Sequence, residues 1–198
     1  FADEIPTFLE RIQPFNGWSK QCKAVLVNQF GWSSARCGQR MPAEMSFRDI
    51  RIGTDVEFGQ SIYEPFGIAQ LEPLSAGALC CVSNVCGCTA FVQQAGARLS
   101  AHSTNPSFTN VVVADYVSLP PSSWLNKASD ALQLDKPIRE WVEQRTSAQL
   151  AQTLFTRLPK TAQQLDRLMA QGQALAQQMR WEVVVKEQFL PALHNIRN

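Results

Sequence analysis

Glu64 and Glu72 are the residues of this chain whose type and spacing best suit chemistry, because they flank the run Pro65-Phe66-Gly67-Ile68-Ala69-Gln70-Leu71. A proline after an acidic residue fits the first turn of a helix. Glu64 is therefore expected at a helix entrance, with the free amides of Phe66, Gly67 and Ile68 aimed at whatever occupies it. An anionic diphosphate is a natural occupant. Glu72 would lie deeper, about 12 Å along the axis if every step were helical. That span is comparable with the reach of a nucleotide-sugar, from the sugar over the diphosphate to the ribose, and Gly67 permits close approach of the backbone.

A strand before the pair and a strand after it must hold it in place. A short strand is expected around Thr54 to Phe58, followed by the turn Gly59-Gln60-Ser61. From Phe66 to Ala76 the positions Ile68, Leu71, Leu74 and Ser75 share one helical face, and Gly77 should close that helix in the left-handed conformation. Ala78 to Ser83 is a continuous small-apolar run, the pattern of a strand buried on both faces of a parallel sheet. Strand, turn, helix, strand is a crossover unit.

Elsewhere, residues 3 to 12 read as an amphipathic helix, Cys22 to Phe30 as a buried strand, Gly31 to Glu44 as a surface loop and Val111 to Tyr116 as a further strand. From Ser122 onward the chain turns rich in Gln, Leu, Ala and Arg. Helical patterns fall near 123 to 132, 137 to 156, 160 to 178 and 181 to 195, with Pro159 and Gly172 as punctuation.

With 198 residues the chain can bury one substantial core, so a single domain spanning 1–198 is expected, its helical portion covering about 122–198. Lys+Arg 18 against Asp+Glu 17 leaves a net charge of +1, too little to attract nucleic acid or an anionic membrane surface. No apolar run is long enough for a membrane span. The first residue is Phe1 rather than Met, and the chain reads as a piece excised from something longer. Cys80, Cys81, Cys86 and Cys88 crowd one apolar run instead of spacing out as a disulfide framework, which favours a reducing cytoplasm.

The run Ser61 to Gly77 resembles the paired-glutamate signature of retaining GT-B glycosyltransferases, and most nearly that of glycogen and starch synthases, in which Ser-x-x-Glu-Pro-x-Gly-x-x-Gln-Leu recurs. Val82 to Cys88 stands where that family has a strand and a glycine-containing loop, and Met179 to Val185 resembles the start of its C-terminal helix. The resemblance implies an α/β fold, a Rossmann-like parallel sheet flanked by helices, forming the C-terminal, donor-binding half of a GT-B enzyme with additional C-terminal helices. It implies transfer of a hexose, glucose foremost, from a nucleoside diphosphate sugar to a glycan or other hydroxyl acceptor held by a missing N-terminal domain. Glu64 would be catalytic, contacting the donor sugar and stabilising charge at its anomeric carbon. Glu72 would accept from the ribose hydroxyls, Tyr63 would flank the base or sugar, and the amides near Phe66, Gly67 and Ile68 would hold a phosphate. Neither metal nor cofactor is expected.

The chain departs from the family in lacking the Gly-Arg-x-x-x-x-Lys-Gly element whose cations neutralise the diphosphate. Without it, charge-assisted contacts are lost, and the fragment should not transfer sugar unaided. Arg48 and Arg51 are the cations that could stand in. The competing reading is a noncatalytic glycosyltransferase-like module for binding or assembly. A metal site among the cysteines is disfavoured, since adjacent Cys80 and Cys81 on a strand point to opposite faces. His102 and His194 are isolated, and Trp141 and Trp181 fall within helices as core or interface residues.

Overall fold

The computed structural model describes residues 5–20, 42–60, 64–101, 109–121, 123, 125 and 127–197. Contacts divide the chain into two compact units, Phe1–Asp49 and Ile50–Asn198, with the boundary inside a short helix.

The first unit contains α1 (Ile5–Trp18), which runs a turn and a half beyond the expected end, through Pro14. The short helix at the boundary is α2 (Phe47–Ile52). Asp49 closes its first turn, one carboxylate oxygen accepting from the Ser46 backbone N–H and hydroxyl, at 2.7 and 2.6 Å. These bonds, hydroxyl first, hold the Asp49 carboxyl below its ordinary pKa. The strand expected at Cys22–Phe30 and most of the loop at Gly31–Glu44 lie outside the described residues.

The second unit is α/β and Rossmann-like. Its strands β1 (Val56–Gly59), β2 (Leu79–Ser83) and β3 (Val111–Ala114) form a parallel sheet in the order β1-β2-β3. Val56 pairs with Leu79, and Cys80 with Val111. Every residue of β2 is buried, as its unbroken small-apolar sequence demands of a central strand covered on both faces.

Alternation along the strands separates two cores. Cys80, Val82 and Val111 pack with Leu71, Leu74, Ala95 of α3 (Cys88–Ala101) and Leu175 of α5 (Ala162–Gln177). On the other face Cys81, Val112 and Ala114 meet Leu150 of α4 (Lys136–Arg157). Burying leucines such as Leu71, Leu74 and Leu175 stabilises the fold by about 1.5–3 kcal/mol each.

The connection from β1 to β2 corrects one expectation. No α-helix spans 66–76; turns lead instead into a 3-10 helix, Glu72–Ala76. Gly67 has φ 67°, a left-handed conformation that an α-helix does not contain. Pro73 also lacks the N–H that an α-helix begun at Phe66 would need at that position. The leucines keep their buried role, Leu71 and Leu74 being closed off from solvent, while Ile68 and Ser75 are exposed. Gly77 does close the segment at φ 83°, donating its N–H to Leu74 O.

Helix α3 goes unforeseen by the sequence reading, although Phe91, Val92, Ala95 and Leu99 recur at helical spacing and pack on the first core. The C-terminal helices fall close to expectation. Asp135 caps α4 and Thr161 caps α5, each side chain accepting from the backbone N–H three residues on. Then come α6 (Trp181–Val184), a π-helical turn Val185–Phe189 and α7 (Leu190–Arg197). The pattern near 123 to 132 yields a 3-10 helix, Ala128–Gln133. Gly172 does not punctuate α5 but lies buried inside it, where a Cβ would stand 2.8 Å from Leu74 O and 3.3 Å from Gly77 Cα. The glycine lets the helix press against the 3-10 segment. No helix among the described residues is long and apolar enough to cross a membrane.

Candidate functional site

Glu64 stands beyond the carboxyl end of β2, joined to Cys86 by an isolated parallel bridge in which Gly87 N–H donates to Glu64 O at 2.8 Å. Ligands of open α/β sheets gather outside this edge. Two glycine-containing turns interlock there. A Cβ on Gly67 would lie 2.1 Å from Cys86 Sγ, and one on Gly87 would lie 1.8 Å from Pro65 O. Both turns need hydrogen at those positions, so the loop Cys86-Gly87-Cys88 fixes the path of Pro65 to Gly67.

Two of the three amides expected to face a ligand have a partner within the turn. Phe66 N–H and Gly67 N–H both donate to Glu64 Oε1, at 3.3 and 3.1 Å. These bonds, that from Gly67 first, hold the Glu64 carboxyl below its ordinary pKa. A carboxylate therefore already occupies the place proposed for a phosphate. Phe66 and Ile68 project outward, 75% and 65% exposed. Tyr63 lies outside the described residues.

Glu72 opens the 3-10 helix and accepts a close hydrogen bond from Arg51 Nη1. The same guanidinium grips Glu57 of β1 with two nitrogens, at 2.9 and 3.3 Å. Arg51 thus joins β1 and the 3-10 helix through two carboxylates. Its charge is committed to them rather than to a diphosphate.

Further along the same edge, Asp115 forms a cluster that sequence reasoning missed. Its Oδ1 accepts from Asn84 Nδ2 at 2.8 Å and from the N–H groups of Val117 and Ser118, both at 3.1 Å. Arg145 of α4 reaches Asp115 Oδ2 at 3.2 Å and lies 4.9 Å from the centre of the Trp141 ring. Hydrogen bonding by Ser118, foremost from its hydroxyl, helps hold the Asp115 carboxyl below its ordinary range. Asp115 and Arg145 are too far apart in sequence for spacing to betray their pairing. Trp141 and Trp181 do sit on helices, but at 39% and 72% exposure neither is a core residue of this chain.

No family model matches the chain, and no curated protein matches it either.

The four described cysteines, Cys80, Cys81, Cys86 and Cys88, are packing groups. Cys80 and Cys81 face opposite sides of the sheet, and burial pushes their thiols up to about 12 and about 11. Cys88 is likewise raised to about 12 by burial, then by Cys86, whose sulfur lies 3.0 Å away. Among the described residues no group of three or more His, Cys, Asp or Glu side chains could hold a metal ion. His194 is exposed on α7, and His102 lies outside the described residues.

Proposed function

We propose that the segment from Glu64 to Glu72 is the donor site of a retaining GT-B glycosyltransferase similar to glycogen and starch synthases. It would move a hexose, glucose foremost, from a nucleoside diphosphate sugar to a glycan or other hydroxyl acceptor. The observation that carries this reading is the Glu64 carboxylate held by two backbone amides at the carboxyl edge of a parallel sheet. One turn thereby supplies an acceptor for sugar hydroxyls and donors for a phosphate.

Binding in this scheme is an exchange. The donor's phosphate takes the N–H groups of Phe66 and Gly67, and the released Glu64 accepts from sugar hydroxyls beside the anomeric carbon. As the bond from that carbon to the diphosphate oxygen breaks, negative charge grows on the phosphate, where the amides already point, and positive charge grows near Glu64. Glu72 turns from Arg51 to the ribose hydroxyls. Exposed Phe66 and Ile68 leave this face open to an acceptor-binding wall. We place the activity in the cytoplasm, where buried, weakly acidic thiols remain reduced.

A second reading, a noncatalytic module that binds the donor or assembles with a partner, draws support from Arg51, whose charge serves Glu57 and Glu72. Variants of the full-length protein separate the two. Glu72→Ala should weaken donor binding about tenfold, and Glu64→Ala should lower kcat by about 100-fold or more while changing donor binding little. Donor binding without turnover in the parent would establish the second reading. Negligible effects of both substitutions would overturn the site.

A further inference from the structure

The opposite edge of the sheet carries a separate cavity of about 700 Å³, where the connection from α4 to α5 approaches the start of β3. Arg157, Lys160 and Arg167 line it, and no carboxylate does among the described residues. None of the three takes part in an ion pair among the described residues. The whole chain carries a formal charge of only +1, so three cations here leave the remainder net negative. The positive charge is local.

The cavity is anchored rather than a loose basic surface. Arg157 Nη1 donates to Thr109 O at 3.1 Å and Val111 O at 2.8 Å, which ties the guanidinium to the first residues of β3. Lys160 donates its backbone N–H to Gln164 Oε1 at 2.7 Å, and its ammonium lies 4.7 Å from the centre of the Phe155 ring. Lys160 and Gln164 flank the Thr161 cap, which brings the positive end of the 16-residue helix α5 to the rim. Thr156 and Gln164 add neutral polar groups to the wall.

We propose that this cavity binds a diphosphate group, either free pyrophosphate or the diphosphate of a nucleotide. Guanidinium forks match phosphate oxygens in pairs, and Lys160 supplies a point charge beside them. One carboxylate would leave most of the positive charge uncompensated; two linked phosphates match three cations far better. The volume lies within the range of about 300–1,000 Å³ usual for small-molecule sites. This binding is independent of the donor site at Glu64.

Amide-resolved NMR titration of the 198-residue chain with inorganic pyrophosphate, with ADP and with sulfate at matched ionic strength tests it. Pyrophosphate should bind saturably and shift the amides of residues 156–171. ADP binding at the same amides assigns the cavity to a nucleotide, and binding of pyrophosphate alone assigns it to the free anion. The double variant Lys160→Gln, Arg167→Gln should weaken pyrophosphate at least about tenfold, whereas Glu72→Ala should leave it unchanged. Both replaced side chains are exposed, and the single variants, each expected to weaken binding about threefold, serve if the pair lowers stability. No saturable binding, equal binding by sulfate, or unchanged affinity in the cation variants would overturn the proposal.

Discussion

The turn at Glu64 and the connection at Lys160 lie beyond opposite ends of the same parallel strands, and they treat charge in opposite ways. Glu64 is satisfied within its own turn by the amides of Phe66 and Gly67, and farther along that edge Asp115 is met by Asn84 and Arg145. At the other edge, Arg157, Lys160 and Arg167 line an open cavity to which no described residue brings a carboxylate. A self-satisfied site must exchange hydrogen bonds when it binds, so its net gain per contact is small. At the cationic edge Arg157 is bonded to backbone carbonyls and Lys160 lies against the Phe155 ring, but among the described residues no carboxylate competes there with an anion. Specific shape at one edge and unspent charge at the other should therefore respond differently to substitution, salt and pH.

Gly87→Ala should produce the largest effect. Its Cβ would meet Pro65 O at 1.8 Å, a backbone atom that cannot swing aside. We expect a loss of about 3 kcal/mol or more in urea denaturation. Any folded variant should lose donor binding at Glu64 while still binding pyrophosphate at residues 156–171. Joint loss of both in a folded variant would dissolve the contrast between the two edges.

Much of this architecture was legible, and the failures share a cause. The three strands were readable because β2 is an uninterrupted small-apolar run and its neighbours are bounded by glycine and polar turns. The long helices α4 and α5 were readable from their helical patterns near 137 to 156 and 160 to 178, whereas their caps at Asp135 and Thr161 appear only in the structure. The segment 66–76 misled because Leu71 and Leu74 are spaced alike in an α-helix and in the shorter turns actually formed. Gly67 at φ 67° and Pro73 decide between those, and such backbone choices are weakly written in apolar spacing. At the site, the two glutamates were visible, but the partners that hold them were not. Arg51 reaches Glu72 only after β1 and the 3-10 helix are folded together, and the Gly67–Gly87 interlock depends on strand register.

Gly172→Ala should have an intermediate effect and a counterintuitive sign. Helix propensity alone would stabilise α5 by about 1 kcal/mol. The new Cβ would meet Leu74 O at 2.8 Å and Asn110 Nδ2 at 2.9 Å, so a net loss of about 1–3 kcal/mol is expected in urea unfolding. A stabilised variant would mean that α5 is not pressed against the 3-10 helix, and that the two edges are less firmly joined than described.

The smallest expected effect is the pH response of Glu64. Its folded pKa is lowered from 4.5, chiefly by Gly67 and then by Phe66. Its stabilisation is therefore complete above the unfolded value and lost as pH falls through the lower folded value. Urea midpoints of the protein and of Glu64→Gln, compared from pH 7 to pH 3, should converge at the acid end. A constant gap would show that the amides do not hold the ionised carboxylate.

The most direct measurement is an amide-resolved titration of this chain with ADP-glucose, UDP-glucose and GDP-mannose. At least one donor should bind with Kd of about 1 mM or tighter, shifting Phe66, Gly67, Glu72 and Gly87, and Glu72→Ala should weaken that response. Absence of saturable shifts with all three, or shifts confined to residues 156–171, would contradict the donor site at Glu64.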